Sequence, residues 1–213
     1  IDILVDLAGH TGNTSTPALV YKPAPVQIIG IGYPNTSGSD QVDYKITDAL
    51  CDPPGLTESI NSEELLRLPK SFWCYRPPEA APDVSPLPAD QAGYITFATV
   101  NNFAKVTPIV QEAWAKLLTK VPSSRLILRA SGTGSEIAKK TILDRFAGFG
   151  ISAERLDLRG HCPFDEFLRG FSEIDIVLDP FPFNGGTTTC HNLWMGVPTI
   201  ALEAIVAASQ TVP

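Results

Sequence analysis

The sequence has 213 residues, of which 44% are hydrophobic and 18% charged, so it is long enough for one large domain or two small ones. The net charge of −7 argues against nucleic acid as the main partner, because phosphate backbones need a basic face. No apolar run approaches about 18 residues, which argues against a membrane span. The cysteines (Cys51, Cys74, Cys162 and Cys190) form no CxxC pair, and we expect free thiols in a cytoplasmic protein.

Residues 1–76 read as the C-terminal part of an α/β lobe. Strands are predicted at 1–7, 26–34 and 44–48, and the loops between them are rich in glycine, proline and threonine. The chain opens on the apolar run IDILVDL without a methionine, so we expect a fragment with an incomplete first lobe. Residues 77–93 continue with PPEAAPDVSPLPADQAG, which predicts a stiff proline-rich linker.

Residues 94–213 alternate between strand and helix patterns. Apolar spacing and capping residues predict helices that begin after Thr107 and after Ser135. This alternation implies βαβ units and a parallel sheet. The predicted strands are 94–100, 124–130, 154–160, 175–181 and 198–204, and the predicted helices are 107–121, 135–150, 163–174 and 187–196.

The segment DPFPFNGGTTTC, residues 179–190, combines a tight glycine turn with the predicted start of a helix. Backbone N–H groups, the positive end of the helix dipole and threonine hydroxyls would converge there, which suits a phosphate. The alternative is structural: glycine makes the turn and threonine caps the helix. Neither the dinucleotide fingerprint nor the P-loop pattern is present.

The segment TVNNFAKVTP, residues 99–108, offers a second anion site after a strand. Lys105 could neutralise a diphosphate, and Asn101 or Asn102 could orient it. The alternative is a solvated lysine in a loop. Two such loops in one sheet favour a ligand that carries phosphate, because ligands of these sheets lie at the carboxyl ends of the strands.

The histidines do not form a motif. His10 lies in a glycine-flanked loop, His161 follows a strand, and His191 lies about one turn into a helix. Neither a metal site nor a Ser-His-Asp arrangement is predicted from this spacing.

Taken in order, LAGHTGN, KPAPVQ, GYPNTSG, VDYKITD, DPPG, LPKSFWCY, ITFATVNNFAKVTP and LDPFPFNGGTTTCHNLWMGVP resemble the O-GlcNAc transferase family, including bacterial homologues and plant SPINDLY-type O-fucosyltransferases. The resemblance is collinear over nearly the whole chain. It implies an α/β fold of the GT-B type, with two Rossmann-like lobes and parallel sheets. It also implies metal-independent transfer of a sugar from a nucleotide diphosphate to Ser or Thr of proteins, without a cofactor. Tetratricopeptide repeats are expected upstream, as partners of the catalytic region.

The resemblance also assigns residues. Lys105 matches a lysine at the donor diphosphate, which we expect to be catalytic, and Asn102 a neighbouring polar position. Thr187 and Thr188, beside Gly186, match paired threonines at the diphosphate. Gly32 and Pro34 match a loop near the transferred sugar, and His10 is assigned to the nucleotide-sugar site with them. Cys162 matches a position that contacts the base through its backbone.

Other positions depart from the family. His191 stands where the family has a ribose-binding acid, and Phe167 stands where it has a histidine. The resemblance locates the proposed catalytic base upstream of Ile1, so we expect the fragment alone to be inactive. The family's longer loop after PTIALEA is reduced here to an Ile, either by a real deletion or because residues are missing from this sequence. We expect the nucleotide-sugar-binding lobe, residues 94–213, to be incomplete at its C-terminus, without the family's returning C-terminal helix.

Three hypotheses about the function remain open. The first is a protein O-glycosyltransferase that uses UDP-GlcNAc or, alternatively, GDP-fucose, since users of both donors share these motifs. The second is a degenerate transferase that acts as a scaffold or binding module, which His191 and Phe167 favour. The third is a GT-B enzyme with a small-molecule acceptor.

Overall fold

A computed structural model of the protein describes residues 1–12 and 14–202. Contacts between Cα atoms divide these residues into two compact units, with the boundary between Cys74 and Tyr75. None of the helices in the described ranges is long and apolar enough to cross a membrane.

The first unit contains a parallel sheet of four strands in the order β1-β2-β3-β4. Leu19, Ile29 and Val42 form its small apolar core. The strands are β1 (Ile3–Asp6), β2 (Val26–Gly30), β3 (Tyr44–Asp48) and β4 (Glu64–Leu68).

Two features of this sheet differ from the prediction. The strand predicted over 26–34 ends at Gly30, because Gly30 and Ile31 both have positive φ, at 156° and 69°, which breaks the extended run. The strand β4 was missed, because ELLRL is a short edge strand with charged residues among its leucines.

The second unit contains five parallel strands in the order β7-β6-β5-β8-β9. This is a doubly wound α/β arrangement in which the chain first moves outward from β5 and then returns to its other side. The strands are β5 (Thr96–Thr99), β6 (Arg125–Arg129), β7 (Leu156–Arg159), β8 (Ile176–Leu178) and β9 (Thr199–Ile200). The helices are α1 (Pro88–Ala92), α2 (Pro108–Lys120), α3 (Glu136–Gly148), α4 (Phe164–Arg169) and α5 (Thr187–Trp194).

Helices α2 and α3 begin where the sequence predicts. The hydroxyl of Thr107 accepts a hydrogen bond from the Val110 N–H, and that of Ser135 accepts one from the Ala138 N–H. The predicted helix 163–174 is shorter, since α4 ends at Arg169 and a 3₁₀ turn, Gly170–Glu173, follows it. The predicted linker is not all extended, because it contains α1.

The sheet of the second unit is covered on both faces, as expected for parallel strands. One core cluster includes Phe97, Trp114, Leu126 and Phe146. The other includes Ile127, Phe171, Val177 and Met195. The end of the predicted strand 198–204, and the shortened loop that follows it, lie outside the described residues from position 203 onward.

Candidate functional site

The site is centred on β5, where the order of the strands reverses. β5 pairs with β6 on one side and with β8 on the other. The segments that leave β5 and β8 therefore start side by side at the carboxyl edge of the sheet, where ligands of such sheets bind. Both motifs that the sequence singled out, 99–108 and 179–190, begin at this edge.

Asp179 links the two segments at their base. Its side chain is 4% exposed, and its Oδ1 accepts hydrogen bonds from Asn101 Nδ2 and from the Gly185 N–H, both at 2.9 Å. The Gly185 N–H also lies 3.0 Å from Oδ2. Asn101 in turn accepts a hydrogen bond of 3.1 Å from the Thr188 hydroxyl. One chain of hydrogen bonds thus ties the β5 segment to the start of α5.

Lys105 contacts the same turn, at the residue before Gly185. Its Nζ donates to the Asn184 carbonyl at 2.9 Å and lies 4.0 Å from the ring centroid of Phe183. Burial lowers the pKa of Lys105, and the negative charge of Asp179 opposes that shift. Burial raises the pKa of Asp179, and hydrogen bonds from Gly185, Asn184 and Asn101, together with the charge of Lys105, oppose the rise.

Helix α5 begins at Thr187 with Gly186 as its N-cap residue, so the alternative in which a threonine caps this helix is wrong. The first N–H groups of a helix have no partner inside the helix and carry its positive dipole end. Gly185 is required by close packing. A Cβ on it would lie 2.6 Å from Thr189 Oγ1, 2.8 Å from Thr188 Oγ1 and 2.9 Å from Asp179 Oδ1.

A cavity of about 440 Å³ lies beside this network, across the carboxyl ends of β5, β6 and β7. Cys162 accepts a hydrogen bond from Arg129 Nη1 there. Asn102 also lines the cavity, and its side chain caps the 3₁₀ turn that carries Lys105 by accepting from the Ala104 N–H at 3.0 Å. The cavity has the size of a small-molecule site. Its wall consists of Val100, Asn101, Asn102, Arg129, Ala130, Ser131, Gly160, His161, Cys162, Phe164 and Phe167.

His191 adjoins the aromatic end of this cavity. Its ring centroid lies 5.4 Å from that of Phe164 and 6.1 Å from that of Phe167. Its Nδ1 is 2.8 Å from the Tyr75 hydroxyl. Burial lowers the pKa of His191, so the imidazole is neutral at neutral pH.

The remaining predicted residues belong to the first unit. The ring of His10 packs edge-on against Tyr33, with 5.4 Å between centroids, and its Nε2 lies 2.7 Å from the Ser37 carbonyl. Gly32 is fixed by close packing, because a Cβ there would clash with the Leu7 carbonyl. Pro34 follows in the same loop and is partly buried.

The structure brings Lys105, Gly186, Thr187 and Thr188 to one edge, and Asn102 and Cys162 to the adjoining cavity. The prediction missed Asp179, Tyr75, Phe164 and Arg129 as parts of this region. For Asp179 a signal existed, since an acid directly follows the apolar strand DIVL at the edge where ligands bind. Over residues 1–12 and 14–202, no group of three or more His, Cys, Asp and Glu side chains is placed to hold a metal ion.

The fold and site define an α/β protein of the GT-B type with a polar crevice at the switch point of its second sheet. The family profile described as Glycosyl transferase family 41 matches residues 1–76 and 84–212. The chain belongs to this family.

Curated relatives match almost the whole chain. The rice protein named probable UDP-N-acetylglucosamine--peptide N-acetylglucosaminyltransferase SPINDLY is 46% identical over 98% of this chain, and the Arabidopsis thaliana protein of that name is 45% identical over 98%. The Arabidopsis thaliana relative named SEC is 30% identical over 95%. The chain spans 21–23% of the length of these relatives.

Among solved structures, a mutant of the Thermobaculum terrenum O-GlcNAc transferase is similar over 99% of this chain and 39% of its own. The TM-score is 0.89 at 33% sequence identity. This likeness confirms the fold class predicted from the sequence.

Proposed function

We propose that the full-length protein transfers a sugar from a nucleotide diphosphate to Ser or Thr hydroxyls of proteins, with UDP-GlcNAc as the donor. The observation that carries the proposal is the contact of Lys105 with the Asn184 carbonyl, in the turn that directly precedes α5 at the switch point. A half-buried ammonium group, helix N–H groups and the Thr187 and Thr188 hydroxyls suit a diphosphate. The printed names of the relatives, which are peptide N-acetylglucosaminyltransferases, support the same donor and acceptor.

The cavity beside the diphosphate site suits the nucleoside. Asn102 and Cys162 are proposed to contact it, and Phe164 and Phe167 offer aromatic faces on which a base would stack. His191 is proposed to replace the ribose-binding acid with a neutral hydrogen-bonding group. Gly32, Pro34 and His10 stay candidates for the transferred sugar on the strength of the family resemblance.

The proposed reaction is an inverting displacement. The acceptor oxygen forms a bond to the anomeric carbon while the bond from that carbon to the diphosphate oxygen breaks, and the hydroxyl loses its proton. Negative charge grows on the leaving diphosphate. Fixed donors aimed at such charge are each worth about 10² to 10³ in rate. Lys105 and the α5 N-terminus would supply this stabilisation without a metal ion.

The remaining features follow from the same proposal. The partners of the full-length protein would be acceptor proteins, presented by tetratricopeptide repeats upstream of this region, in the cytoplasm. GDP-fucose is the alternative donor, because the residues at the diphosphate do not distinguish the base or the sugar.

A second candidate, a binding module without transfer activity, is favoured by one observation. The Nδ1 of His191 already faces the Tyr75 hydroxyl at 2.8 Å, and its ring packs among phenylalanines. That imidazole has less capacity to hold a ribose than an exposed carboxylate would have.

Calorimetric titration of the full-length protein with UDP, GDP and their sugar conjugates tests the proposal. A ligand that binds only the folded state also raises its apparent stability, so thermal shifts give an independent readout. Selective binding of UDP species is expected. Selective binding of GDP species would move the assignment to fucosyl transfer, and binding of no nucleotide would leave the second candidate.

A further inference from the structure

Asp179 takes no part in holding the ligand in the proposed function, yet it lies at the base of the site. We infer that Asp179 is a positioning residue that fixes the Asn184–Gly185 turn, whose carbonyl receives Lys105, against the start of α5. This inference rests on the proposed function, because its consequence is measured on a bound nucleoside diphosphate.

The hydrogen bonds show how the carboxylate acts on both segments at once. Its two oxygens face the Gly185 N–H at 2.9 and 3.0 Å, which sets the turn whose Asn184 carbonyl receives Lys105. Its Oδ1 also holds Asn101, which orients the Thr188 hydroxyl. A change at Asp179 therefore reaches the glycine turn directly, Lys105 through the Asn184 carbonyl of that turn, and Thr188 through Asn101.

The charges around the pair are few. Within the described part of the chain, Lys105 is the charged group that acts on Asp179, and Asp179 is the one that acts on Lys105. The first residues of α5 are threonines, and the titratable Cys190 and His191 come later, where burial raises the pKa of Cys190 and lowers that of His191. Both are neutral at neutral pH, so no other charge on these elements replaces that of Asp179.

Burial of a carboxylate does not by itself indicate a role in the site, because the equally buried Asp175 only accepts backbone N–H groups. Asp179 differs because its contacts lead to Lys105 and Thr188. Burial already raises the pKa of Asp179, which means that the folded protein resists its ionisation. The charge is retained beside a lysine that would lose its proton more readily without it.

The chain offers a matched control in Asp175. It lies just before the same strand, β8, is also 4% exposed, and accepts the N–H groups of Ala89 and Thr96 at 2.8 Å each. It lies at the opposite end of the strand from Lys105. Asp175→Asn should therefore show how much thermal stability is lost with a buried carboxylate when the site itself is unchanged.

The test measures UDP affinity of the full-length wild type, Asp179→Asn and Asp175→Asn by calorimetry at about pH 7 and about pH 9, together with thermal stability. We expect Asp179→Asn to lose roughly tenfold in affinity at neutral pH and to lose more at alkaline pH, because its lysine deprotonates earlier. Asp175→Asn should lose thermal stability and keep the affinity and the pH dependence of the wild type.

Equal affinity and equal pH dependence of Asp179→Asn and wild type would overturn the inference and leave the proposed function standing. Binding of neither UDP nor GDP by the wild type would overturn both. If Asp179→Asn does not fold, Asp179→Ser, which keeps an acceptor without charge, carries the same expectation and the same contrary result.

Discussion

Lys105 is the side chain on which the proposed function depends most directly. It is held by the Asn184 carbonyl and the Phe183 ring, and burial lowers its pKa while Asp179 resists the change. These contacts orient the ammonium group toward the start of α5, where a diphosphate would lie. Lys105 does not belong to either hydrophobic core cluster of the second unit.

Replacing Lys105 with methionine should therefore affect turnover far more than folding. We expect kcat of the full-length protein to fall by about 10² to 10³, because one fixed donor to the leaving group is lost. Thermal stability should change little. Steady-state kinetics and thermal unfolding of the same preparation check this, and a parallel loss of stability and activity would show that the lysine is structural.

His191 gives a pH prediction. Its folded pKa is lowered by burial, so the folded state resists protonation. The stability that depends on neutral His191 is complete above the ordinary histidine pKa of about 6.5 and is lost as the pH falls through that value toward the lowered pKa.

We expect His191→Phe to unfold at a temperature that depends less on pH between about pH 7 and about pH 5 than that of the wild type. Parallel curves for His191→Phe and the wild type would contradict this prediction.

Sequence alone could single out Lys105, Thr187 and Thr188 as candidates, because a lysine and a glycine-threonine turn at strand ends have a recognisable chemistry. Asp179 directly follows the apolar strand DIVL, which is a signal, but its hydrogen bond to Asn101, 78 residues away, has no local pattern. An aspartate before a proline is common in turns, and only the paired segments reveal that it is buried between them. Tyr75 and His191 are 116 residues apart, and no local pattern predicts their contact.

At the scale of elements, the start of α5 depends on a glycine that leaves no room for a side chain. A Cβ at Gly185 would lie less than 3.0 Å from oxygens of Thr189, Thr188 and Asp179. With any larger residue, these side chains or the turn that carries the Asn184 carbonyl must shift, and we expect the hydrogen bonds between the turn and α5 to change.

Gly185→Ala should weaken UDP binding by at least about tenfold, since donors displaced by even an ångström lose their alignment. Gly148→Ala is the control, because Gly148 ends α3 and has open space at its Cβ position. It should keep the affinity and change stability by no more than about 1 kcal/mol. Equal affinities in the two variants would contradict the assigned role of the turn.

Strand β3 contains a buried charge with a structural role, Lys45. Lys45 is 1% exposed, and its Nζ lies 3.1 Å from Asp52 Oδ2 and 3.0 Å from Asn61 Oδ1. Since Asp52 is also buried, loss of the lysine would leave a carboxylate without its cation.

Lys45→Met should lower the free energy of unfolding by about 3 to 5 kcal/mol. Lys116→Met, which breaks an exposed pair with Glu112 on α2, should cost at most about 1 kcal/mol. Chemical denaturation of the two variants measures the difference. Similar small losses would mean that the first unit tolerates an unpaired Asp52.

The elements themselves were predictable where local chemistry determines them. Thr107 and Ser135 cap α2 and α3 as expected, because a hydroxyl directly before a helical pattern can accept a free N–H group of the first turn. The end of β2 depends on positive φ at Gly30 and Ile31, and the end of α4 on a 3₁₀ turn. Sequence patterns define such boundaries poorly.

At the scale of the whole molecule, two parallel sheets in two units give the fold class that the sequence predicted. The alternation of strands and helices identifies the second sheet, and the resemblance supplied the first. Strand order could be predicted only through the family, because pairing of β5 with both β6 and β8 is a property of the assembled sheet.

The chain spans 22% of the length of the rice relative, so the proposed activity is to be measured on the full-length protein. The most direct measurement is mass spectrometry of acceptor peptides incubated with the full-length protein and either UDP-GlcNAc or GDP-fucose. We expect addition of one sugar to a Ser or Thr hydroxyl, with UDP-GlcNAc as the donor. Nucleotide binding without transfer from either donor would contradict it and indicate a binding module instead.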